Sequence, residues 1–137
     1  MIYLDASVVV PIFIVEPSSP MLDRWLATGP DICLSQWTVS EFSSALSHQQ
    51  RLGRLDADER EAAEAELDRW LSQGVTMIEI GNDDVQAARS LLRFDPVLRT
   101  PDALHLAVTE RLGTALATYD RRLAASAASI GIEVIAP

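Results

Sequence analysis

The sequence contains no lysine, and this absence excludes several classes of function. All 11 basic residues among the 137 are arginine. A P-loop nucleotide site, a Schiff-base enzyme and a phosphorylated receiver domain each depend on a lysine side chain. None of these three activities is therefore expected.

Positive charge is scarce as well. The 20 acidic residues outnumber the arginines and give a formal net charge of −9 at pH 7, with a sequence pI near 4.5. Such a charge disfavours long-range attraction to phosphate polymers and to anionic lipid. Any nucleic-acid function must overcome this repulsion.

The sequence has a single cysteine and no long apolar run. Cys33 lies in an apolar stretch, which is typical of a small buried side chain rather than of a nucleophile. The longest apolar run, residues 8–15, is broken by Pro11 and is far shorter than the ~20 residues that a bilayer requires. Residues 1–5 carry no basic side chain and end with Asp5, so we expect neither a secretory signal nor a membrane partner, and a cytoplasmic location.

Hydrophobic residues make up 48% of the chain, whereas glycine and proline number only 6 and 7. This composition excludes disorder and low-complexity repeats, and the length matches about one domain. No linker or repeat divides the sequence. We therefore predict one packed domain over residues 1–137.

Five short apolar segments are predicted to be β-strands: residues 2–4, 32–34, 75–80, 114–118 and 132–135. One or two predicted helices separate each strand from the next. The first helix is predicted over residues 6–15, and the capping residues Ser19, Asp56, Thr100 and Asp120 mark four later helix starts. Strands joined through helices form parallel sheets, so the predicted fold class is α/β.

Four acidic residues stand where such a fold binds ligands. Asp5 ends the first strand and Asp120 follows the fourth, and ligands of parallel sheets bind beyond the carboxyl ends of strands. Asp102 opens a helix after Pro101, and Glu41 lies within a helix beside its apolar stripe. Each acid also has a simpler interpretation: Asp5 and Asp120 as helix caps, Asp102 as a partner of the helix dipole, and Glu41 as a solvated flank.

Convergence of these acids would need a cation. Two carboxylates ~4 Å apart repel by about 4 kcal/mol at an effective dielectric constant of 20. Oxygen ligands alone favour Mg²⁺ or Mn²⁺. A zinc site is not indicated, because His48 and His105 lack ligand partners at suitable spacing. Both histidines are instead interpreted as helix-surface or packing residues.

Four segments give a specific resemblance. They are residues 3–7 (YLDAS), 39–42 (VSEF), 98–107 (LRTPDALHLA) and 117–123 (ATYDRRL). Together they resemble the motifs of PIN-domain proteins, and most closely those of the VapC toxins of bacterial toxin–antitoxin pairs. The resemblance covers essentially the whole chain in order, and the third and fourth segments are its most specific parts.

The resemblance implies a single PIN-like domain with sheet order 3-2-1-4-5. It also implies a Mg²⁺-dependent endoribonuclease toxin, a VapB-like antitoxin partner and a homodimer. The residues that match the metal-binding and catalytic acids of the family are Asp5, Glu41, Asp102 and Asp120, and those that match its supporting hydroxyls are Ser7 and Thr118. Ser7 stands where family members often have threonine, a change that retains the hydroxyl.

A cation held by these acids could activate water and attract a phosphodiester despite the negative charge of the chain. Arg99, Arg121 and Arg122 lie beside two of the acids, and we interpret them either as RNA-phosphate contacts or as exposed residues that aid solubility. A different interpretation of the same cluster is a regulatory or partner-binding module that holds a metal without catalysis. A phosphohydrolase with Asp5 as nucleophile is disfavoured, because no lysine is available to neutralise its intermediate.

Overall fold

The sheet follows directly from the short apolar segments of the sequence. A computed structural model describes all residues 1–137. Its five strands are β1 (Ile2–Leu4), β2 (Ile32–Ser35), β3 (Thr76–Ile78), β4 (Ala115–Ala117) and β5 (Val134–Ile135). All neighbouring pairs are parallel. Their order, β3-β2-β1-β4-β5, is the order that the family resemblance implied.

Seven helices connect and cover these strands. They are α1 (Ala6–Phe13), α2 (Ser19–Leu26), α3 (Gln36–Arg51), α4 (Ala57–Ser72), α5 (Asn82–Phe94), α6 (Thr100–Leu112) and α7 (Arg121–Ser129). The predicted α/β class is confirmed. None of these helices combines the length and the apolar character that crossing a lipid bilayer would require.

The core lies on both faces of the sheet, because successive strand residues point in opposite directions. Leu4 and Ala117 face one cluster, which includes Val8 of α1 and Phe42 of α3. Tyr3 and its registered neighbours on β2 and β4 face the other, which also receives residues of α6 and α7. Cys33 belongs to this second cluster and is fully buried, as predicted.

Two of the predicted helix starts were wrong by one residue. Ser18, not Ser19, is the N-cap of α2, and Arg99, not Thr100, is the N-cap of α6. In both helices the proline is the second helical residue. The N–H groups of the first turn have no helical carbonyl to bind, so a proline there costs no hydrogen bond. By contrast, the predicted capping box at the start of α4 is present, with Asp56 as its N-cap.

Several elements are also shorter than predicted. The first helix ends at Phe13 rather than at residue 15, two residues after Pro11, which has no N–H to continue the hydrogen-bond ladder. The strands predicted over residues 75–80 and 132–135 form only β3 and β5, since a strand exists only where a neighbouring strand pairs with it. These differences leave the carboxyl ends of β1 and β4 where the sequence placed them.

Candidate active site

The carboxyl ends of β1 and β4 define the site. Leu4 is in register with Ala117, so the residues that follow, Asp5 and Thr118, leave the sheet side by side. The backbone N–H of Asp5 donates to the carbonyl of Ala117 at 3.2 Å, which continues the pairing by one residue. Strand order therefore brings together two motifs that are more than a hundred residues apart in the sequence.

Asp5 is buried and held by three hydrogen bonds. Its Oδ1 accepts from the Ser7 backbone N–H at 2.9 Å and from the Ser7 hydroxyl at 2.6 Å. Its Oδ2 accepts from the Thr118 hydroxyl at 2.8 Å. Burial raises the pKa of Asp5, and the bonds from Ser7 and Thr118 oppose that rise. Asp5 is thus the N-cap of α1, as one interpretation predicted, and its carboxylate is also fixed in orientation at the sheet edge.

The hydroxyls of Ser7 and Thr118 join the two turns that carry the acids. Ser7 Oγ accepts the backbone N–H of Tyr119 at 2.8 Å. Thr118 Oγ1 accepts the backbone N–H of Asp120 at 3.0 Å. Each hydroxyl therefore contacts Asp5 on one side and the chain after β4 on the other, so the separation of the two turns is fixed by side-chain hydrogen bonds.

Asp120 caps α7 with only one of its two carboxylate oxygens. Oδ1 accepts the backbone N–H groups of Arg122 at 2.7 Å and of Leu123 at 3.2 Å. No protein donor reaches Oδ2. The predicted cap role is therefore present, and it leaves one oxygen of Asp120 available to a ligand.

Asp102 lies in the first turn of α6 and is half-buried, with no hydrogen bond to its carboxylate. Burial raises the pKa of Asp102, and the nearby negative charges of Asp120 and Glu41 raise it further, against the opposing influence of His105 and Arg99. Three carboxylates thus share one electrostatic environment, and the ionised form of Asp102 is destabilised by it.

Glu41, on α3, is hydrogen-bonded to His105, a residue that sequence analysis did not connect with the site. Its Oε2 lies 2.5 Å from Nε2 of His105, and the Glu41 side chain is 26% exposed. Of the two interpretations of His105, helix surface is wrong and packing is confirmed, because the residue is only 2% exposed and its ring contacts that of Tyr3. Its hydrogen bonds through both ring nitrogens were not predicted. The available signal was its position three residues after Asp102, on the same side of one helix. His48 is exposed, as predicted.

Tyr3 is a second residue that sequence analysis did not connect with the site. Its hydroxyl lies 3.2 Å from Nδ1 of His105 and 2.7 Å from the hydroxyl of Ser35. Burial raises the pKa of Tyr3 to about 12. The phenol therefore keeps its proton at physiological pH and remains available as a hydrogen-bond donor beneath Glu41.

The three arginines near the acids are all exposed. Arg99 precedes α6, and Arg121 and Arg122 open α7. None of them forms a salt bridge with a carboxylate of the protein. Their guanidinium groups are free to contact a ligand, and the two interpretations from the sequence both remain open.

As the side chains stand, no three His, Cys, Asp or Glu residues lie close enough together to hold a metal ion jointly. The donors that surround the site are carboxylate and hydroxyl oxygens, which suit hard divalent cations. The unbonded carboxylate of Asp102 and the free oxygen of Asp120 provide ligand atoms without the loss of a protein hydrogen bond. The donor types therefore fit Mg²⁺ or Mn²⁺.

A cleft of about 570 Å³ opens beside the acids. Its lining includes Ser7, Tyr119 and Asp120, together with Glu16 and Gln49 of α3. A cleft of this size accommodates a molecule much larger than a metal ion. Asp120 is the one of the four acids that lines it, so a molecule in the cleft would lie against that carboxylate.

Comparison with known proteins agrees with this geometry. The PIN domain family model matches residues 2–129. The chain is 35% identical over 139 residues to Ribonuclease VapC46 of Mycobacterium tuberculosis, covering 99% of this chain and 97% of the relative. The crystal structure of Mycobacterium tuberculosis VapC20, a sarcin-ricin loop cleaving toxin, superimposes with a TM-score of 0.78 at 20% identity and full coverage of both chains.

A toxin–antitoxin complex from Klebsiella pneumoniae contains a chain of the same fold. It matches with a TM-score of 0.70 at 19% identity and covers 100% of this chain and 98% of that one. At such identities the structural matches establish the fold, whereas the family model and the VapC46 relationship extend over nearly the whole sequence. The chain therefore belongs to the PIN domain family and, within it, to the VapC-type ribonucleases.

Proposed function

We propose that residues 1–137 form a single PIN domain that cleaves RNA internally with the help of Mg²⁺ or Mn²⁺. VapC-type PIN domain ribonucleases are generally metal-dependent. The observation that carries the proposal is the electrostatic state of Asp102, whose pKa is raised by burial and by neighbouring carboxylates with no protein hydrogen bond in compensation. Binding of a cation would relieve the repulsion among these carboxylates, so their arrangement favours cation binding.

We assign the metal ligands to Asp5, Asp102 and Asp120, together with Glu41. When bound, a divalent cation eases the deprotonation of an attacking water and neutralises charge on the phosphodiester as it reacts. Asp5 is fixed by its bonds to Ser7 and Thr118, so it presents its charge in one orientation. One oxygen of Glu41 is occupied by His105, and the other is free to orient water.

The exposed arginines supply contacts to the polyanion. Arg99, Arg121 and Arg122 flank Asp102 and Asp120 in the sequence and carry no internal salt bridge. A guanidinium group binds phosphate oxygens in a bidentate manner. These residues offset, beside the cleft, the repulsion that a net charge of −9 imposes at a distance.

We propose a VapB-like antitoxin as the protein partner and a homodimer as the form of the toxin. The fold is shared with the chain of the Klebsiella pneumoniae toxin–antitoxin complex, and large apolar side chains such as Val15 and Phe94 are 95% and 87% exposed. Exposed apolar side chains favour protein contacts. Since the substrate is RNA, we propose that the toxin acts in the cytoplasm.

Cleavage of a defined RNA tests the proposal. The purified chain should release shorter fragments with Mg²⁺ or Mn²⁺ and none with EDTA. Asp120→Asn is the matched control, because asparagine caps helices about as well as aspartate while it removes the charge. Circular dichroism should show an unchanged fold, and cleavage should fall by orders of magnitude. Metal affinity without cleavage by the unmutated chain would instead indicate a non-catalytic metal-binding module.

A growth experiment tests the biological role. Expression of the unmutated chain should arrest growth of a bacterial host, and expression of Asp120→Asn should not. Co-expression with a VapB-like antitoxin encoded next to this chain should restore growth and give a stable complex. Normal growth with abundant unmutated protein and no antitoxin would contradict the toxin role.

A further inference from the structure

A chain of buried polar groups lies directly beneath Glu41. His105 Nε2 is 2.5 Å from Glu41 Oε2, and Nδ1 is 3.2 Å from the Tyr3 hydroxyl. The Tyr3 hydroxyl in turn lies 2.7 Å from Ser35 Oγ and 3.3 Å from Thr38 Oγ1. Except for Glu41, every member of this chain is at least 98% buried. This hydrogen-bond network therefore connects the partly exposed Glu41 to the interior of the protein beneath the sheet edge.

The direction of the key hydrogen bond is set by chemistry. An ionised carboxylate only accepts hydrogen bonds, so the hydrogen between His105 and Glu41 resides on Nε2. With a neutral imidazole this leaves Nδ1 as an acceptor for the Tyr3 hydroxyl, which then accepts from Ser35. Glu41 thus sets the tautomer, and the Tyr3 hydroxyl satisfies the remaining ring nitrogen and holds the imidazole in place.

The network is anchored to four separate elements, β1, β2, α3 and α6. Tyr3 belongs to β1, Ser35 ends β2, and His105 lies in α6. The Thr38 hydroxyl, in the first turn of α3, donates to the carbonyl of Leu4 at 3.1 Å. Glu41 is one turn farther along α3, so its backbone and the partner of its carboxylate are both fixed against the strand that ends in Asp5.

A packing role alone accounts poorly for this arrangement. His105 does contact Tyr3, with ring centroids 5.7 Å apart and a 56° angle between the rings. An apolar ring would give the same contact without the cost of burying polar atoms, which requires each of them to find a partner. The partner found on the outer side is one of the four site acids.

We propose that His105, oriented by Tyr3, is a positioning residue that fixes the Glu41 carboxylate for binding of the divalent cation. The inference rests on the proposed function and adds two residues to the site. Residues that orient metal ligands in this manner typically change metal affinity or activity by about 10- to 100-fold when they are replaced. The hydrogen bond from Nε2 is the feature that should matter, rather than the volume of the ring.

Two amide variants separate the hydrogen bond from the packing. In His105→Gln the side-chain NH₂ can occupy the place of Nε2 and donate to Glu41, whereas in His105→Asn it reaches only the place of Nδ1. Both variants lose the aromatic ring. We expect Mn²⁺ affinity, measured by electron paramagnetic resonance of the free ion, to stay within a few-fold for His105→Gln. For His105→Asn it should weaken by about 10- to 100-fold.

Steady-state kinetics supply the second measurement. At a fixed limiting concentration of Mg²⁺, His105→Asn should lower kcat with little change in the KM for RNA, and His105→Gln should restore most of kcat. Equal losses in the two amide variants, in either Mn²⁺ affinity or kcat, would overturn the proposal in favour of a packing role. Equal retention by both would overturn it as well.

Nuclear magnetic resonance tests the tautomer in the unmutated protein and so does not depend on whether a variant folds. The chain has only two histidines, and the exposed His48 serves as the internal reference. The ¹⁵N shifts of His105 should show a protonated Nε2. In Tyr3→Phe, which retains the ring and loses the hydroxyl, Nε2 should stay protonated because Glu41 only accepts, but Mn²⁺ affinity should fall because the imidazole loses its second anchor. An Nε2 without a proton in the unmutated protein would overturn the proposal.

Glu41→Gln distinguishes failure of this inference from failure of the proposed function. If Glu41→Gln lowers both Mn²⁺ affinity and cleavage while His105→Asn changes neither, only the positioning role of His105 is wrong. If Glu41→Gln and Asp120→Asn both bind Mn²⁺ and cleave RNA normally, the proposed function fails, and the inference that rests on it fails too.

Discussion

Asp84 and Asp102 are two aspartates in first turns of neighbouring helices, and they are treated in opposite ways. Asp84 accepts from Nε of Arg111 at 2.6 Å, from its Nη2 at 3.1 Å and from the backbone N–H of Gly81 at 2.9 Å. Burial by itself raises the pKa of Asp84, but these hydrogen bonds outweigh burial and hold the pKa below its ordinary value. The positive charge that compensates the Asp84 carboxylate therefore comes from a side chain of the protein, Arg111.

Asp102 has no such partner. Its carboxylate receives no hydrogen bond, and burial and the charges of Asp120 and Glu41 raise its pKa. The two aspartates therefore differ in charge compensation: Arg111 compensates Asp84, whereas no side chain compensates Asp102. Under the proposed function, a cation from solution would take the place that Arg111 has at Asp84.

The largest effect should come from removal of the functional charge. Asp102→Asn should reduce RNA cleavage by about two orders of magnitude or more, because the site loses a ligand for the proposed cation. The measurement is the initial rate on a defined RNA with Mg²⁺. Asp84→Asn is the matched control and should cleave at nearly the normal rate at a temperature where it is folded. Similar losses in the two variants would erase the distinction between the aspartates.

Stabilisation by metal should show the same contrast. A ligand that binds only the folded protein at 100 times its Kd adds about 2.7 kcal/mol to the free energy of unfolding. Millimolar Mg²⁺ or Mn²⁺ should therefore raise the Tm of the unmutated chain and of Asp84→Asn, but not that of Asp102→Asn. Calorimetry with and without EDTA measures the shift. An unchanged Tm in the unmutated chain would mean that the carboxylates do not assemble around a cation.

Removal of the structural charge should affect stability instead. Asp84→Ala leaves the Gly81 N–H and Nε of Arg111 without their acceptor, while Nη2 of Arg111 still donates to the carbonyl of Glu79. The substitution should lower the free energy of unfolding by about 1–3 kcal/mol. Arg111 is 44% exposed and can be hydrated, so the loss should remain below that of a fully buried ion pair. Urea denaturation measures it, with Asp83→Ala as the control at the exposed neighbouring position in the same first turn of α5. Equal stability of Asp84→Ala and the unmutated chain would contradict the structural role.

Local patterns in the sequence were sufficient to predict the helices and strands and to place two acids at the ends of strands. Asp5 and Asp120 could be placed at one edge of the sheet because each follows an apolar segment and precedes a helix. The strand order could not be obtained from spacing, since several orders satisfy the same crossovers; it came from the resemblance to a family. Thr118 lies beside Asp5 because this order makes β1 and β4 neighbours.

The polar contacts across the sheet could not be predicted from local pattern. Tyr3 and His105 are separated by 102 residues, and nothing near either one indicates the other. A tyrosine in a strand and a histidine in a helix each read as an ordinary core or surface residue. Their pairing depends on the register of β1 and the placement of α6, which are properties of the folded chain.

The smallest effect should be on how the free energy of unfolding depends on pH in the absence of metal, through the ionisation of Asp102. Its pKa in the folded protein lies above its ordinary value of 3.8, so the folded state binds this proton more tightly than the unfolded state does. As the pH rises from 3.8 through the raised pKa, ionisation progressively disfavours the folded state, and above that pKa the penalty is constant. The effect is modest because Asp102 is half exposed and solvent screens its charge.

The difference in the free energy of unfolding between the unmutated chain and Asp102→Asn cancels the groups that do not interact with Asp102, and it retains Asp102 with its coupling to Asp120 and Glu41. Asp84 contributes with the opposite sign, since its lowered pKa gives stability that is lost as the pH falls, but this contribution is common to both proteins. In EDTA, the unmutated chain should therefore lose stability relative to Asp102→Asn as the pH rises through the window above 3.8. With saturating Mg²⁺ the slope should reverse, because the cation binds the ionised carboxylates. A difference that stays flat across the window in EDTA would show that Asp102 is as well compensated as Asp84.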